Sequence, residues 1–444
     1  MTTIGIPGTS LVVLCGPAGC GKSSFAGKHF SPTRVVSSDR CRELVSDDEE
    51  NMAASHRAFK LFRCLIDQRL ALGRLTVADS TALTAKSRRD LIALGRKHDF
   101  QVVLVVFDLP LPLCLERNRS RQRQVPEKVI RMHRRLLDRS LEAVAGEDFD
   151  LVYVLSREEM ETARVEIVPL PVEVPLAGPF DIIGDIHGCC DELEALLEKL
   201  GYHRESGVYT HPAGRLAVFL GDLGDRGPRC LDSISLVLDM VSRGAALYVP
   251  GNHCRKLQAY FSGRKIKVAH GLEKTLRELE GRTAAERERI TGRFMELYGS
   301  AQPYLMLDGG KLVVSHAGIK ENMLGRLSKR IREFCLFGDT TGEVTEDGLP
   351  VRRDWAANYR GEALLVYGHT PVEEAVFRNN TIDIDQGCVM GGKLTALRYP
   401  EREIVQVAAA EVYYLRGEAG TSWPVYTRPA AGWQKETVKE DLYR

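Results

Sequence analysis

Phe180-Asp181-Ile182-Ile183-Gly184-Asp185-Ile186-His187-Gly188 decides how the larger part of this 444-residue chain folds. A short strand runs into a glycine, and two ligand-type side chains follow, Asp185 and His187. Side chains two apart in an extended segment point the same way, so both can face one cation. The device recurs downstream. Leu216-Ala217-Val218-Phe219-Leu220 precedes Gly221-Asp222-Leu223-Gly224-Asp225-Arg226-Gly227, and Ala246-Leu247-Tyr248-Val249-Pro250 precedes Gly251-Asn252-His253. Leu312-Val313-Val314 precedes Ser315-His316-Ala317-Gly318, and Leu364-Leu365-Val366-Tyr367 precedes Gly368-His369-Thr370-Pro371. One buried histidine is an ordinary core residue. Five strand exits that supply two aspartates, an asparagine and three histidines are poorly explained by packing. The mixed oxygen and nitrogen donors suit Mn²⁺, Fe²⁺, Co²⁺, Ni²⁺ or Zn²⁺ better than Ca²⁺ or Mg²⁺.

Upstream lies a second phosphate-handling signature. Leu11-Val12-Val13-Leu14-Cys15 reads as a buried strand, and Gly16-Pro17-Ala18-Gly19-Cys20-Gly21-Lys22-Ser23 is a complete P-loop ahead of a helix from Lys22 to Phe30. The glycines let backbone N–H groups approach phosphates, and the helix N-terminus adds favourable partial charge. Gly16, Gly19, Gly21, Lys22, Ser23 and Ser24 form the expected nucleotide cradle, with Ser23 on Mg²⁺. Arg34 to Asp39 reads as a short strand ending in a carboxylate, with Arg42 close behind. Leu75 to Thr81 and Val102 to Asp108 read as further strands. The Arg117-to-Arg123 stretch, continued by Arg131, His133, Arg134 and Arg135, reads either as a lid and polynucleotide groove or as a solvated helix face.

Length alone calls for two or three cores. The net charge of +1 supplies no overall field toward nucleic acid. Eleven scattered cysteines fit a reducing cytoplasm, and no apolar run is long enough to suggest a membrane span. The proline-rich segment 167–176 reads as a semi-rigid connector. Residues 272–305 carry the spacing of one amphipathic helix.

The blocks from about 180 to 400 resemble the binuclear metallophosphoesterase superfamily. That resemblance implies one ion on Asp185, His187 and Asp222, and a second on Asp222, Asn252, His316 and His369. Arg226 and His253 would contact the substrate phosphate. The family's usual acidic residue after Gly-Asn-His is Cys254 here, so Asp225 is a candidate orienter of His253. Asp383 and Asp385 would join the wall of the site. Taken with the P-loop, the whole chain resembles the bacterial RNA-repair polynucleotide kinase-phosphatases. This implies an α/β fold: a P-loop kinase domain with a parallel sheet over 1–165, a linker over 166–178, and a calcineurin-like double-sheet sandwich over 179–415. Residues 416–444 would be a tail or the start of a linker. It implies ATP with Mg²⁺ in the first domain and one or two Mn²⁺ or Ni²⁺ ions in the second. Lys22 and Ser23 would hold ATP, Asp39 would be the base, Arg42 would orient the acceptor, and Arg117 and Arg121 would be lid contacts. The partners implied are RNA or DNA ends, with a ligase domain or separate ligase and end-repair proteins. A dinucleoside-polyphosphate or protein phosphatase with a regulatory P-loop domain is the alternative, and a nonenzymatic nucleic-acid scaffold is the third reading.

Overall fold

The computed structural model describes residues 2–121, 123–344 and 350–415. The expected tail at 416–444 lies outside the described residues. The chain divides into two compact units. The first runs to Leu170 and includes Gly325–Ser328; the second begins at Pro171 and resumes at Lys329.

In the first unit a five-stranded parallel sheet has the order Val35–Ser37, Thr76–Asp79, Ser10–Cys15, Gln101–Phe107, Leu151–Leu155. The central strands are apolar throughout because helices cover both faces. Leu11, Val13 and Cys15 pack against Phe62, Ile66 and Leu91 on one side. Val12 and Leu14 pack against Phe25, Ala26 and Ile130 on the other. The glycine-rich loop leaves the central strand and opens the helix Lys22–His29. The Arg34-to-Asp39 strand is shorter than expected. Ser37 accepts the Arg40 N–H and caps the helix Ser38–Ser46, which puts Asp39 in a helical first turn. The proline-rich seam begins as a strand, Arg164–Val168, paired in parallel with Thr3–Pro7.

The second unit is a sandwich of two sheets. One has the order Ala246–Tyr248, Leu216–Phe219, Phe180–Ile183, Lys393–Tyr399, Glu403–Ala408. The other has the order Tyr304–Leu307, Leu312–Ser315, Leu364–Tyr367, Thr381–Asp383. Alternate residues sort to the two faces of each strand. Phe180, Ile182, Val218 and Leu220 meet Leu305, Leu312, Val314 and Val366 between the sheets. Ile183, Ala217 and Phe219 face outward, onto Leu193, Leu196, Ile234 and Val237. The last two belong to the helix Cys230–Ser242, the first two to the helix Cys190–Leu200. Both sheets bring the ends of Phe180–Ile183, Leu216–Phe219, Leu312–Ser315 and Leu364–Tyr367 into neighbouring loops.

The segment expected to hold one amphipathic helix holds two, Leu272–Glu280 and Ala284–Ser300. The break is encoded: Gly281 ends the first, and Thr283 with Glu286 forms a reciprocal capping box on the second. No helix among the described residues is long and apolar enough to cross a membrane.

Candidate functional site

The strand exits converge as their repetition suggested. The first two exits are stitched together by backbone: His187 N–H donates to Asp222 O at 2.7 Å, and Gly188 N–H to Leu223 O at 2.9 Å. Asp222 Oδ1 accepts the His253 N–H at 2.9 Å, and Asp185 Oδ1 accepts the His369 N–H at 3.3 Å. These carboxylates back directly onto glycines. A Cβ on Gly251 would overlap Asp222 Oδ1, and one on Gly368 would press on Asp185 Oδ1. Backbone strain gathers in the same place. His187, Asp222, Asp225, Arg226 and His369 all have φ between 42° and 77°. Each such residue costs about 1–3 kcal/mol and persists only where its surroundings dictate it.

Hydrogen bonds fix the imidazole tautomers. His316 Nδ1 lies 2.8 Å from the Leu220 carbonyl, and His187 Nδ1 lies 3.1 Å from the Gly224 carbonyl. A carbonyl only accepts, so each Nδ1 carries the proton and each Nε2 lone pair faces the cleft. His316 Nε2 sits 3.0 Å from Asn252 Oδ1, 3.1 Å from His369 Nδ1 and 3.5 Å from Asp222 Oδ2. His187 Nε2 sits 3.6 Å from Asp222 Oδ2. Burial holds His187, His253, His316 and His369 below the ordinary histidine range, with Arg226 adding to the shift at His187 and His253 and Arg352 at His369. Neutral imidazoles are what metal ligation requires.

The carboxylates have the opposite problem. Burial, then Asp385, Asp222 and Asp383, push the Asp185 carboxyl well above its usual range. Among the described residues, Asp185 Oδ2 is buried with no hydrogen-bond partner. A cluster of buried carboxylates beside neutral imidazoles is an environment that a divalent cation neutralises. The donor atoms of His187, Asp222 and His253 lie within 4.8 Å of one another, as do those of Asp222, His316 and His369. Asp222 is common to both groups, so this is a metal-binding site. His253, expected on the substrate phosphate, comes within ligand range of His187 and Asp222, and Asp185 stands 3.8 Å from His316 Nδ1. Asp385 is buried, and Asp383 faces it and Asp185.

Around this centre stand groups suited to phosphate. Arg226 Nη1 lies 3.1 Å from His187 Nε2, and its Nη2 lies 2.9 Å from His253 Nε2. Asp225 Oδ2 holds His253 Nδ1 at 2.7 Å, and Thr275 Oγ1 donates to Asp225 Oδ1 at 2.6 Å. The carboxylate partner that Cys254 could not supply is therefore Asp225. Burial lifts its carboxyl to about 6. Sequence reasoning missed Arg352, whose Nη2 lies 2.8 Å from His369 Nε2, and Tyr414, whose ring lies 5.4 Å from the Arg226 guanidinium. Arg352 closes the short strand Pro350–Arg352, and neither residue belongs to a ligand motif.

In the first unit Lys22 Nζ donates to the Gly16 and Pro17 carbonyls, both at 2.8 Å. Ser23 bonds Asp79, whose carboxyl burial raises. Asp39 is held by Arg42 at 2.8 Å and by Arg123, rather than Arg121, at 3.0 Å. Arg117 lies against the Cys20 carbonyl and Glu161. Ser24, like Ser23, is exposed at the start of the helix that follows the loop.

Residues 178–393 match the family described as calcineurin-like phosphoesterase, and residues 11–142 match the family described as an AAA domain. The fold and ligand set thus define a P-loop, AAA-type α/β domain followed by a calcineurin-like phosphoesterase. Among curated proteins the chain is 53% identical over 234 residues to a bis(5′-nucleosyl)-tetraphosphatase PrpE [asymmetrical] of Anoxybacillus flavithermus, covering 53% of this chain and 96% of the relative. It is 50% identical over 234 residues to the Bacillus subtilis protein of that name, with 53% and 96% covered. The chain belongs to this bis(5′-nucleosyl)-tetraphosphatase PrpE family.

That membership corrects the RNA-repair assignment. The polynucleotide kinase-phosphatase resemblance, its 5′-hydroxyl kinase and 2′,3′-phosphatase activities, and its RNA or DNA ends and ligase partners give way to a tetraphosphatase family matched over almost its full length. The physical reason is that strand-exit ligands specify the cations and not the group leaving phosphorus. Several of the arginines that suggested a polynucleotide groove are also met locally by acids. Arg119 pairs with Glu127, Arg134 with Asp108 and Asp138, and Arg123 with Asp39.

Gly251→Ala drives a methyl group into Asp222 Oδ1. We expect the folded variant to retain less than about one tenth of the wild-type divalent metal, as outer-shell disruption commonly does. Metal content by inductively coupled plasma mass spectrometry checks this, and full retention would show that Asp222 is not placed by that glycine.

Proposed function

We propose that the second unit is a divalent-metal-dependent hydrolase of dinucleoside polyphosphates, of the bis(5′-nucleosyl)-tetraphosphate class. The observation that carries this reading is the match to tetraphosphatases over 96% of their length, with the convergent ligand cluster intact. Asp185, His187, Asp222, Asn252, His316 and His369 would hold Mn²⁺ or a similar ion. When bound, such ions supply a nucleophile from water at neutral pH and offset charge on the phosphoryl oxygens.

The chain's own residues supply the rest. Arg226, at the His187 and His253 end of the cleft, and Arg352, beside His369, offer guanidinium donors to neighbouring phosphates. Two such donors around one metal centre suit a polyphosphate chain better than a single terminal phosphate. Asp225 accepts the His253 Nδ1 proton, and His253 Nε2 in turn accepts from Arg226, so this chain of bonds would aim the guanidinium at the phosphate side.

For the first unit we propose nucleotide binding at Gly16, Gly19, Gly21, Lys22, Ser23 and Ser24, with ATP·Mg²⁺ as the ligand. The loop geometry and the Ser23–Asp79 contact support this. Lys22→Ala should weaken ATP binding at least about 10-fold by calorimetry, the loss of a charged hydrogen bond to phosphate. Equal affinity in both proteins would remove the loop from nucleotide binding.

With Mn²⁺ and diadenosine tetraphosphate, chromatography should show ATP and AMP formed in equal amounts by the unmutated protein. A substrate left intact while a simple aryl phosphate is cleaved would defeat the dinucleoside reading.

Asp225 has its own pH signature. Its carboxyl is lifted to about 6, so it protonates as pH falls through that value and releases its hold on His253. The acid limb of kcat/KM should therefore fall below about pH 6. Asp225→Asn should flatten that limb and lower kcat about 100-fold. An unchanged pH profile in the variant would free His253 from this pairing.

A further inference from the structure

A second cluster of ligand-type side chains shares no residue with the phosphoesterase donors. One donor atom each from Cys189, Glu192 and Cys388 lies within 4.8 Å of the other two. All three residues are buried, at 0%, 4% and 2% exposure. Cys189 caps the helix Cys190–Leu200, and Glu192 stands in its first turn. Cys388 opens the single turn Cys388–Met390 at the other side of the fold's sequence.

The Glu192 carboxylate is held but not satisfied. Its Oε1 accepts the Ala410 N–H at 3.0 Å and the Tyr413 hydroxyl at 2.7 Å. Its Oε2 is buried with no hydrogen-bond partner among the described residues. An apolar core has no use for such an oxygen, which costs about 1–3 kcal/mol when unpaired. Beside two thiols, a cation would satisfy it.

The geometry points to a separate site for one thiophilic divalent ion, of the Zn²⁺ type, ligated by Cys189 Sγ, Cys388 Sγ and a Glu192 carboxylate oxygen. Zinc with ligands at about 2.0–2.3 Å in a tetrahedron sets them roughly 3.5–3.8 Å apart, so a small contraction of this cluster encloses it. Thiolate sulfur selects such an ion over the harder ions that suit carboxylate and water. On binding, each thiol releases its proton to solvent and its sulfur takes the metal.

The position gives the ion a structural task. Cys189 follows His187 by two residues, and Cys388 follows Asp385 by three. An ion between them ties together two segments that line the phosphoesterase cleft. Through Glu192 it also fixes the stretch that carries Tyr413 and Tyr414. The assignment holds whatever phosphate ester the cleft accepts.

Cobalt distinguishes this site from the phosphoesterase centre, whose expected donors are nitrogen and oxygen. Full-length protein, reduced and stripped with a chelator, is titrated with Co²⁺. A sulfur-to-cobalt charge-transfer band in the near ultraviolet should grow in, level off, and be displaced by Zn²⁺. It should vanish in Cys189→Ser and in Cys388→Ser. No band in the unmutated protein, or an undiminished band in both serine variants, overturns the proposal. Glu192→Gln keeps both thiols and an acceptor for Ala410 and Tyr413. It should weaken Zn²⁺ binding at least about 10-fold in competition with a chromophoric chelator. Unchanged affinity there would strike Glu192 from the site and overturn the three-ligand assignment.

Discussion

Negative charge confined at the exits of three strands is the constraint to which the second unit is built. Asp185, Asp222, Asp383 and Asp385 share one cleft, and Asp185 and Asp222 are almost wholly buried. Removing such charges from water costs several kcal/mol each unless an opposite charge is near. The surrounding histidines are held neutral, so they offset none of that charge. Divalent cations resolve the conflict, with the lone pairs of His187 and His316 already turned toward them. The strained backbone at His187, Asp222 and His369 is the local cost of aiming those side chains from separate loops at one place.

Much of this was legible because a strand that ends in a polar side chain leaves a plain mark in sequence. Apolar runs located the sheets, and the residue after each run located a ligand. The helical pattern was harder to divide. Spacing over 272–305 read as one helix, although Gly281 and the Thr283–Glu286 capping box mark two. Arg352 and Tyr414 were invisible for another reason. They reach the cleft from segments with no motif, and only the folded chain brings them to His369 and Arg226. The Cys189–Glu192–Cys388 cluster was hidden likewise, since its third member comes from a distant loop.

The leaving group was the least legible feature. Ligand spacing records how cations are held, and many phosphoesters can be presented to the same cations. The neighbouring P-loop steered the reading toward nucleic-acid ends, and the family relationship turned it toward nucleotides joined through phosphate. The ion-paired arginines of the first unit agree with that turn. A surface whose guanidiniums already meet carboxylates has little charge left with which to displace counterions from a polynucleotide.

Crystals of the full-length protein grown with Mn²⁺, and diffraction data collected at the manganese edge, examine the cation cleft most directly. The account predicts anomalous density on both sides of Asp222, one peak toward His187 and one toward His316 and His369. A fully ordered Asp222 with no anomalous density beside it would contradict it.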